Sequence, residues 1–356
     1  MRRRRFIQLF LLIMLCAVSV GDLYSQSGRN QDKTTKQRPK PGSSPSSDSE
    51  RAVRVPKSTQ KTDNPKSPTE VAEDEVVRVS SNLVPIPASV VDQRGIAITN
   101  LKLEDFELHV DGELKAISEM TRSDTSVRLV MLFDNSGSQH EAREFEKRAA
   151  MHFFRRVLRP ADEAAVYSVE SESYLAQPLT KDIGRLEQTI ASFGKAEGST
   201  SLFDAIIDAA AYLRPYSGRR VLVLVSDGIE TTSRNDFETT IQRVLADDCQ
   251  VFVVQTGLYD SANLRALTAE RRMEQLTTQT GGAVYIPKTT TELEQAFEQI
   301  AADLAQQYVL SYYPRDERRD GRFHVIDLRV RSRRNVRVRA RKGYYSPKPS
   351  NLATSG

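Results

Sequence analysis

The chain has 356 residues, 39% hydrophobic and 28% charged, which is enough for one large domain with a smaller one beside it. The formal charge is +4, and Arg2, Arg3, Arg4 and Arg5 alone supply that excess, so the remainder is close to neutral and carries no general footprint for nucleic acid. Its two cysteines, Cys16 and Cys249, exclude a disulfide-stapled fold, because Cys16 lies in a leader-like segment and Cys249 alone has no partner.

Residues 1–26 read as a signal peptide: Arg2 to Arg5 make a basic start, Phe6 to Val20 an apolar stretch, and Ala17-Val18-Ser19 a small-residue cleavage site. The apolar stretch is short for a membrane span. Arg3-Arg4-Arg5-Phe6-Ile7 has a twin-arginine look, although an ordinary basic start explains it. Leu15 before Cys16 is too large for the usual lipidation site. The mature protein is expected to be exported, to a periplasm or to the cell surface and beyond. Residues 27–74 are rich in Ser, Pro, Lys, Thr, Gln and Asp without an aromatic residue after Tyr24, and are expected to be a disordered linker.

Order is expected from Glu75. Residues 75–122 form an N-terminal β segment, with strands at Val76 to Val79, Ile86 to Val91, Phe106 to Val110 and Leu114 to Ile117, the last two joined by a tight Asp111-Gly112 turn. From Val127 strands and helices alternate. Strands are expected at Leu129 to Phe133, Ala164 to Val169, Val221 to Val225, Val251 to Gln255 and Ala283 to Ile286, with Tyr174 to Leu179 as an antiparallel edge strand. Helices are expected at Glu141 to Leu158, Ile183 to Phe193, Leu202 to Leu213, Phe237 to Leu245, Leu264 to Gln279 and Leu293 to Ala305. In the first helix Phe145, Ala149, His152, Phe153 and Val157 recur at helical spacing, which assigns His152 to packing. Cys249 before an apolar strand reads as a small buried filler. Such alternation implies an α/β fold, a doubly wound and mainly parallel sheet, over residues 126–306. Residues 307–345 return to β, with strands at Tyr308 to Tyr313, Phe323 to Val330 and Val336 to Ala340, and residues 346–356 form a disordered tail. The two β segments are expected to build one composite domain around the α/β unit.

Three fragments carry the chemistry. Asp134-Asn135-Ser136-Gly137-Ser138 ends the first α/β strand, Gly198-Ser199-Thr200-Ser201 precedes a helix, and Ser226-Asp227-Gly228 ends the fourth strand. In an extended stretch, alternate residues point the same way, which aims Asp134, Ser136 and Ser138 at one place. Open α/β sheets bind ligands beyond the carboxyl ends of their strands, and there Thr200 and Asp227 join them. Asp134, Ser136, Ser138, Thr200 and Asp227 make an oxygen-only donor set for a hard divalent cation, Mg²⁺ first, with Mn²⁺ or Ca²⁺ as alternatives. Two carboxylates balance the ion, and at least one position is left for water or for a carboxylate offered by a protein partner. None of His109, His140, His152 and His324 has metal-ligand spacing, though His140 borders the Ser138 loop.

This pattern resembles the metal-ion-dependent adhesion site of von Willebrand factor type A domains over about Ser126 to Gln306. The resemblance implies a six-stranded sheet in the order 3-2-1-4-5-6, with Ser136, Ser138 and Thr200 coordinating directly and Asp134 and Asp227 acting through water. Asn135 and Gln139 vary from the pattern in a tolerated way, and Asp227 to Thr231 looks like the family's third loop. The flanks Asn82 to Pro87, Leu103 to Leu108, Tyr308 to Pro314 and Val338 to Tyr345 resemble exported von Willebrand factor A-related proteins of Acidobacteria.

The leading expectation is a cell-envelope protein-binding or adhesion module, not an enzyme. One alternative is a structural or assembly factor with a non-bridging metal site. Another is a metal-dependent phosphohydrolase with Asp134 as nucleophile, which Ser136 at the place of the usual second Asp disfavours. Arg329, Arg331, Arg333, Arg334, Arg337, Arg339, Arg341 and Lys342 crowd the last strands. They read as the solvated face of a sheet, or as a patch for anionic envelope glycans or lipid headgroups.

Overall fold

A computed structural model describes residues 83–122, 125–135, 143–194, 198–257, 264–314 and 320–346. The leader, the linker, the strand expected at Val76 to Val79, Ser136, Ser138, His140 and residues 347–356 lie outside them.

The N-terminal segment forms β1 (Val84–Val91), β2 (Phe106–Val110), β3 (Glu113–Lys115) and β4 (Glu119–Arg122). Pro85 and Pro87 fall in the half of β1 that has a strand on one side only, where a sheet accommodates proline. The β2–β3 turn has Asp111 and Gly112 both at positive φ, 52° and 81°, the signature of a tight hairpin.

The α/β unit runs β5 (Val127–Asp134), α1 (Arg143–Val157), β6 (Glu163–Val169), β7 (Tyr174–Thr180), α2 (Ile183–Ser192), α3 (Leu202–Leu213), β8 (Arg219–Ser226), α4 (Phe237–Ala246), β9 (Cys249–Gln255), α5 (Leu264–Thr280), β10 (Val284–Tyr285) and α6 (Thr290–Gln306). The sheet order is β10-β9-β8-β5-β6-β7. Counted along the unit this is 3-2-1-4-5-6, the expected order, and β7 is the one antiparallel strand, as expected. β5, β8 and β9 are apolar runs because both of their faces are covered. Leu129, Met131 and Phe133 pack with α1, α2 and α6 on one face, while Val130 and Leu132 pack with α3, α4 and α5 on the other.

The chain then adds β11 (Tyr308–Tyr312), β12 (Phe323–Val330), β13 (Arg337–Ala340) and β14 (Gly343–Tyr345). With the N-terminal strands these make two four-stranded sheets, β13-β1-β11-β4 and β14-β12-β2-β3. Both sheets feed one core that includes Ile86, Leu108, Tyr308, Leu310 and Ile326. Tyr312 and Tyr344 share a buried hydroxyl–hydroxyl hydrogen bond of 2.6 Å across it.

One helix phase departs from expectation. Phe145 is 46% exposed and His152 is exposed, so packing is not the role of His152. The buried face of α1 runs Glu146, Ala149, Ala150, Phe153, Phe154 and Val157, one position further round. Cys249 is buried, as expected of a filler, and burial raises its thiol pKa far above the ordinary value. No described helix is long and apolar enough to cross a membrane.

Candidate metal centre

β5 and β8 are parallel neighbours, yet α1 follows one onto the first face and α4 follows the other onto the second. The connections therefore diverge between them, opening a crevice at their carboxyl ends. Asp134 ends β5 and Asp227 follows β8, and both side chains are buried at that crevice. Ser226 links the two loops, since its hydroxyl donates to Asp134 Oδ2 at 2.5 Å and accepts from the Gly228 N–H at 2.9 Å. Asp227 turns the chain by accepting the Ile229 N–H on Oδ1 at 2.8 Å, while Gln255 Nε2 donates to its carbonyl at 2.8 Å. Gly228 sits at φ +77°, and a Cβ there would stand 3.0 Å from Met273 Cγ, so this turn requires glycine.

Thr200 is buried one residue before Ser201, the N-cap of α3. Its N–H donates to Thr231 Oγ1 at 2.7 Å, and its carbonyl accepts from the Thr231 and Thr232 N–H groups at 3.0 and 3.1 Å. Ser201 makes no side-chain cap hydrogen bond; its hydroxyl donates instead to the Glu170 carbonyl at 2.7 Å. The start of α3 is capped from the loop after β8, where Glu230 Oε2 accepts the Phe203 N–H at 3.0 Å. The Thr200 loop is thereby tied to the Asp227 loop. Asn135 Nδ2 and Ser168 Oγ both donate to Glu170 Oε1 at 2.7 Å, which adds the β5 and β6 loops to the same cluster. Asp134, Thr200 and Asp227 thus lie on loops that are bonded together. Ser136 and Ser138 lie outside the described residues.

Two residues from α1 that were not expected enter the site. Arg143 is buried, with its guanidinium 5.6 Å from the Phe133 ring, and it donates to the Asp134 carbonyl and to Asn135 Oδ1. Burial lowers its pKa against the pull of Glu146, Glu144, Asp134 and Glu170. Glu146 is 1% exposed, and its pKa is pushed up to about 7. Burial is the main cause; a hydrogen bond with Thr256 and the Arg143 charge oppose it, while the charges of Asp134 and Asp227 add to it. The correct phase of α1 places Glu146 on the buried face, and a carboxylate there is the signal that sequence reading had at hand.

The electrostatics fit a cation. The charges of Asp134 and Asp227 both reach Glu146, and Arg143 faces Glu146 and Asp134. Among the described residues no group of three or more His, Cys, Asp or Glu is placed to hold a metal ion by itself. A site here depends on hydroxyl donors such as Thr200 beside its carboxylates, the mixture a hard cation takes.

The tail arginines offer less free charge than their sequence suggests. Arg329 pairs with Asp327, Arg331 with Glu107, Arg339 with Asp303 and Arg341 with Asp248, while Arg333 donates to Asn100.

Residues 129–230 match the von Willebrand factor type A domain. No curated protein matches. Among solved structures, an aerotolerance-related membrane protein from Bacteroides fragilis is 17% identical, with 49% of this chain and 98% of that one covered and a TM-score of 0.41. The PilB minor pilin from Streptococcus sanguinis is 11% identical over 51% of this chain and 62% of its own, TM-score 0.43. The vWF domain of the type V pili tip protein Mfa5 from Porphyromonas gingivalis is 12% identical over 50% and 94%, TM-score 0.41.

Proposed function

Since the chain carries a von Willebrand factor type A domain at residues 129–230, we propose that it is an exported protein-binding module that holds a divalent cation and presents it to a carboxylate of a protein partner. Asp134, Ser136, Ser138, Thr200 and Asp227 hold the ion, Mg²⁺ or failing that Mn²⁺ or Ca²⁺. When bound, the ion would supply a Lewis acid able to take a carboxylate oxygen from a partner. The chain's own residues bind and orient, and no bond-breaking step is assigned to them.

One observation carries this reading. Two buried carboxylates sit at the ends of adjacent parallel strands where the connections diverge, and the loop of a buried threonine is bonded to theirs. Glu146 adds a weaker support: burial is the first cause of its raised pKa, but the charges of Asp134 and Asp227 both reach it and add to the shift. Arg143 and Glu146 flank this cluster from α1, Arg143 by donating to the Asp134 carbonyl and Asn135 Oδ1.

Calorimetry and thermal unfolding of the full chain test the proposal. Mg²⁺ at a hundred times its dissociation constant should stabilise the fold by about 2.7 kcal/mol, EDTA should reverse the gain, and Asp134→Ala should abolish it. Absence of binding heat with millimolar Mg²⁺, Mn²⁺ and Ca²⁺ would overturn it.

A further inference from the structure

A groove lies between the loop after β8 and the first turns of α5. It is a cavity of about 230 Å³, walled by Ile229 and Glu230 on one side and by Leu264, Arg265, Thr268 and Arg272 on the other. α5 turns Ala266, Ala269, Met273 and Leu276 into the core. Leu264 is nevertheless 80% exposed and Leu267 is 49% exposed. Single exposed apolar side chains are ordinary. These two stand three apart on one helix, so they adjoin, and Leu264 itself lines a concavity whose far wall begins at the residue after Asp227.

Charge distinguishes what fits there. Arg265 is exposed and, among the described residues, forms no ion pair. The Arg272 guanidinium is fixed 5.5 Å from the Phe203 ring and 5.8 Å from the Phe237 ring, also without an ion pair among the described residues. The acid in the groove is occupied elsewhere. Glu230 accepts from the N–H groups of Phe203, Thr232 and Ser233 and from the Ser233 hydroxyl, at 2.6 to 3.0 Å. The groove therefore offers an apolar rim and two arginines whose charge no carboxylate among the described residues takes up.

We infer that this groove docks an acidic segment of a protein partner in which carboxylates alternate with large apolar side chains, the apolar groups covering Leu264 and Leu267 while a carboxylate pairs with Arg265 and Arg272. The inference rests on reading this end of the sheet as a protein-binding face, but it places part of the binding energy outside the metal.

The test uses the full chain and a short capped peptide of alternating glutamate and leucine, with its glutamine analogue as control, followed by fluorescence anisotropy in Mg²⁺ and in EDTA. Leu264→Ser and Arg265→Glu, both exposed and harmless to the fold, should each weaken peptide binding about tenfold, and part of the binding should survive in EDTA and in Asp134→Ala. If Asp134→Ala or EDTA abolishes binding and the groove variants bind as wild type, the groove is overturned and the metal reading stands. If the groove variants weaken binding and Mg²⁺ changes nothing, the groove stands and the metal reading falls. Equal binding of the glutamine analogue overturns the groove inference, as does no binding of either peptide. So does a wild-type dimer that Leu264→Ser makes monomeric, since a second copy would then be the occupant.

Discussion

Glu146 is a buried acid whose surroundings oppose its ionisation, and this makes the metal-free protein sensitive to pH. Its pKa is about 7 in the fold, against an ordinary value of 4.5. The folded chain therefore keeps a proton that the unfolded chain releases. The stability this confers is fully present below about pH 4.5 and is lost as pH rises through 7. At 1.36 kcal/mol per pKa unit the loss amounts to about 3 kcal/mol. Glu146→Gln should remove this component, so that in EDTA the variant gains most over wild type at pH 8 and little at pH 5, read by urea unfolding. Equal gains at both values would assign the effect to packing instead. At this scale the site was partly legible in the sequence. Asp134, Thr200 and Asp227 announce themselves by following apolar strands or preceding a helix, whereas Glu146, Arg143 and Ser226 depend on which face of α1 is buried and on which strands adjoin. A shift of one position round the helix is enough to hide Glu146 behind Phe145 and His152.

Among elements, the turn after α5 is the tightest joint. Gly281 ends the helix at φ +80°, and a Cβ there would come 2.5 Å from the Arg341 N–H nitrogen. A Cβ on Gly282 would stand 1.8 Å from the Val251 carbonyl oxygen in β9, so the backbone itself would have to move. Gly282→Ala should cost roughly 2–4 kcal/mol in chemical unfolding. Gly194→Ala, where a Cβ meets nothing within 4 Å, should be nearly neutral. The Gly281-Gly282 pair was readable as a helix stop, but the strand packed against it was not. The same division holds elsewhere. Long apolar strands such as β5, β8 and β9 and helices such as α3 declare themselves through local periodicity. β4, with the pattern Glu-Met-Thr-Arg and little burial, and β14, which opens on Gly343, have none; β11 recruits β4 across the whole α/β unit, and β12 recruits β14 past the intervening β13.

Across the whole molecule, the chain leaves the sandwich after β4, builds the α/β unit and returns at β11, which pairs with both β4 and β1. Two covalent crossings join the parts, and side chains add to them. Arg339 of β13 reaches α6, where one Nη2 donates to both carboxylate oxygens of Asp303 at 2.6 Å, and the Tyr285 hydroxyl donates to the same carboxylate at 3.0 Å. The two partners respond differently. Burial raises the Asp303 pKa in spite of the arginine, whereas attraction to Asp303 raises that of Arg339 in spite of burial. The geometry argues that both remain charged, with desolvation weighing mostly on the acid, so the pair adds little net stability while each member depends on the other. Arg339→Met alone should therefore destabilise by about 3 kcal/mol, because it strands a buried carboxylate, and Arg339→Met with Asp303→Leu should recover most of that loss. A double-mutant cycle in urea measures the coupling. If the sandwich and the α/β unit unfold as one body, circular dichroism and the fluorescence of the buried tyrosines should shift together in both variants. Separate transitions in Arg339→Met would mean that this pair, rather than the shared strands, makes the two parts cooperate.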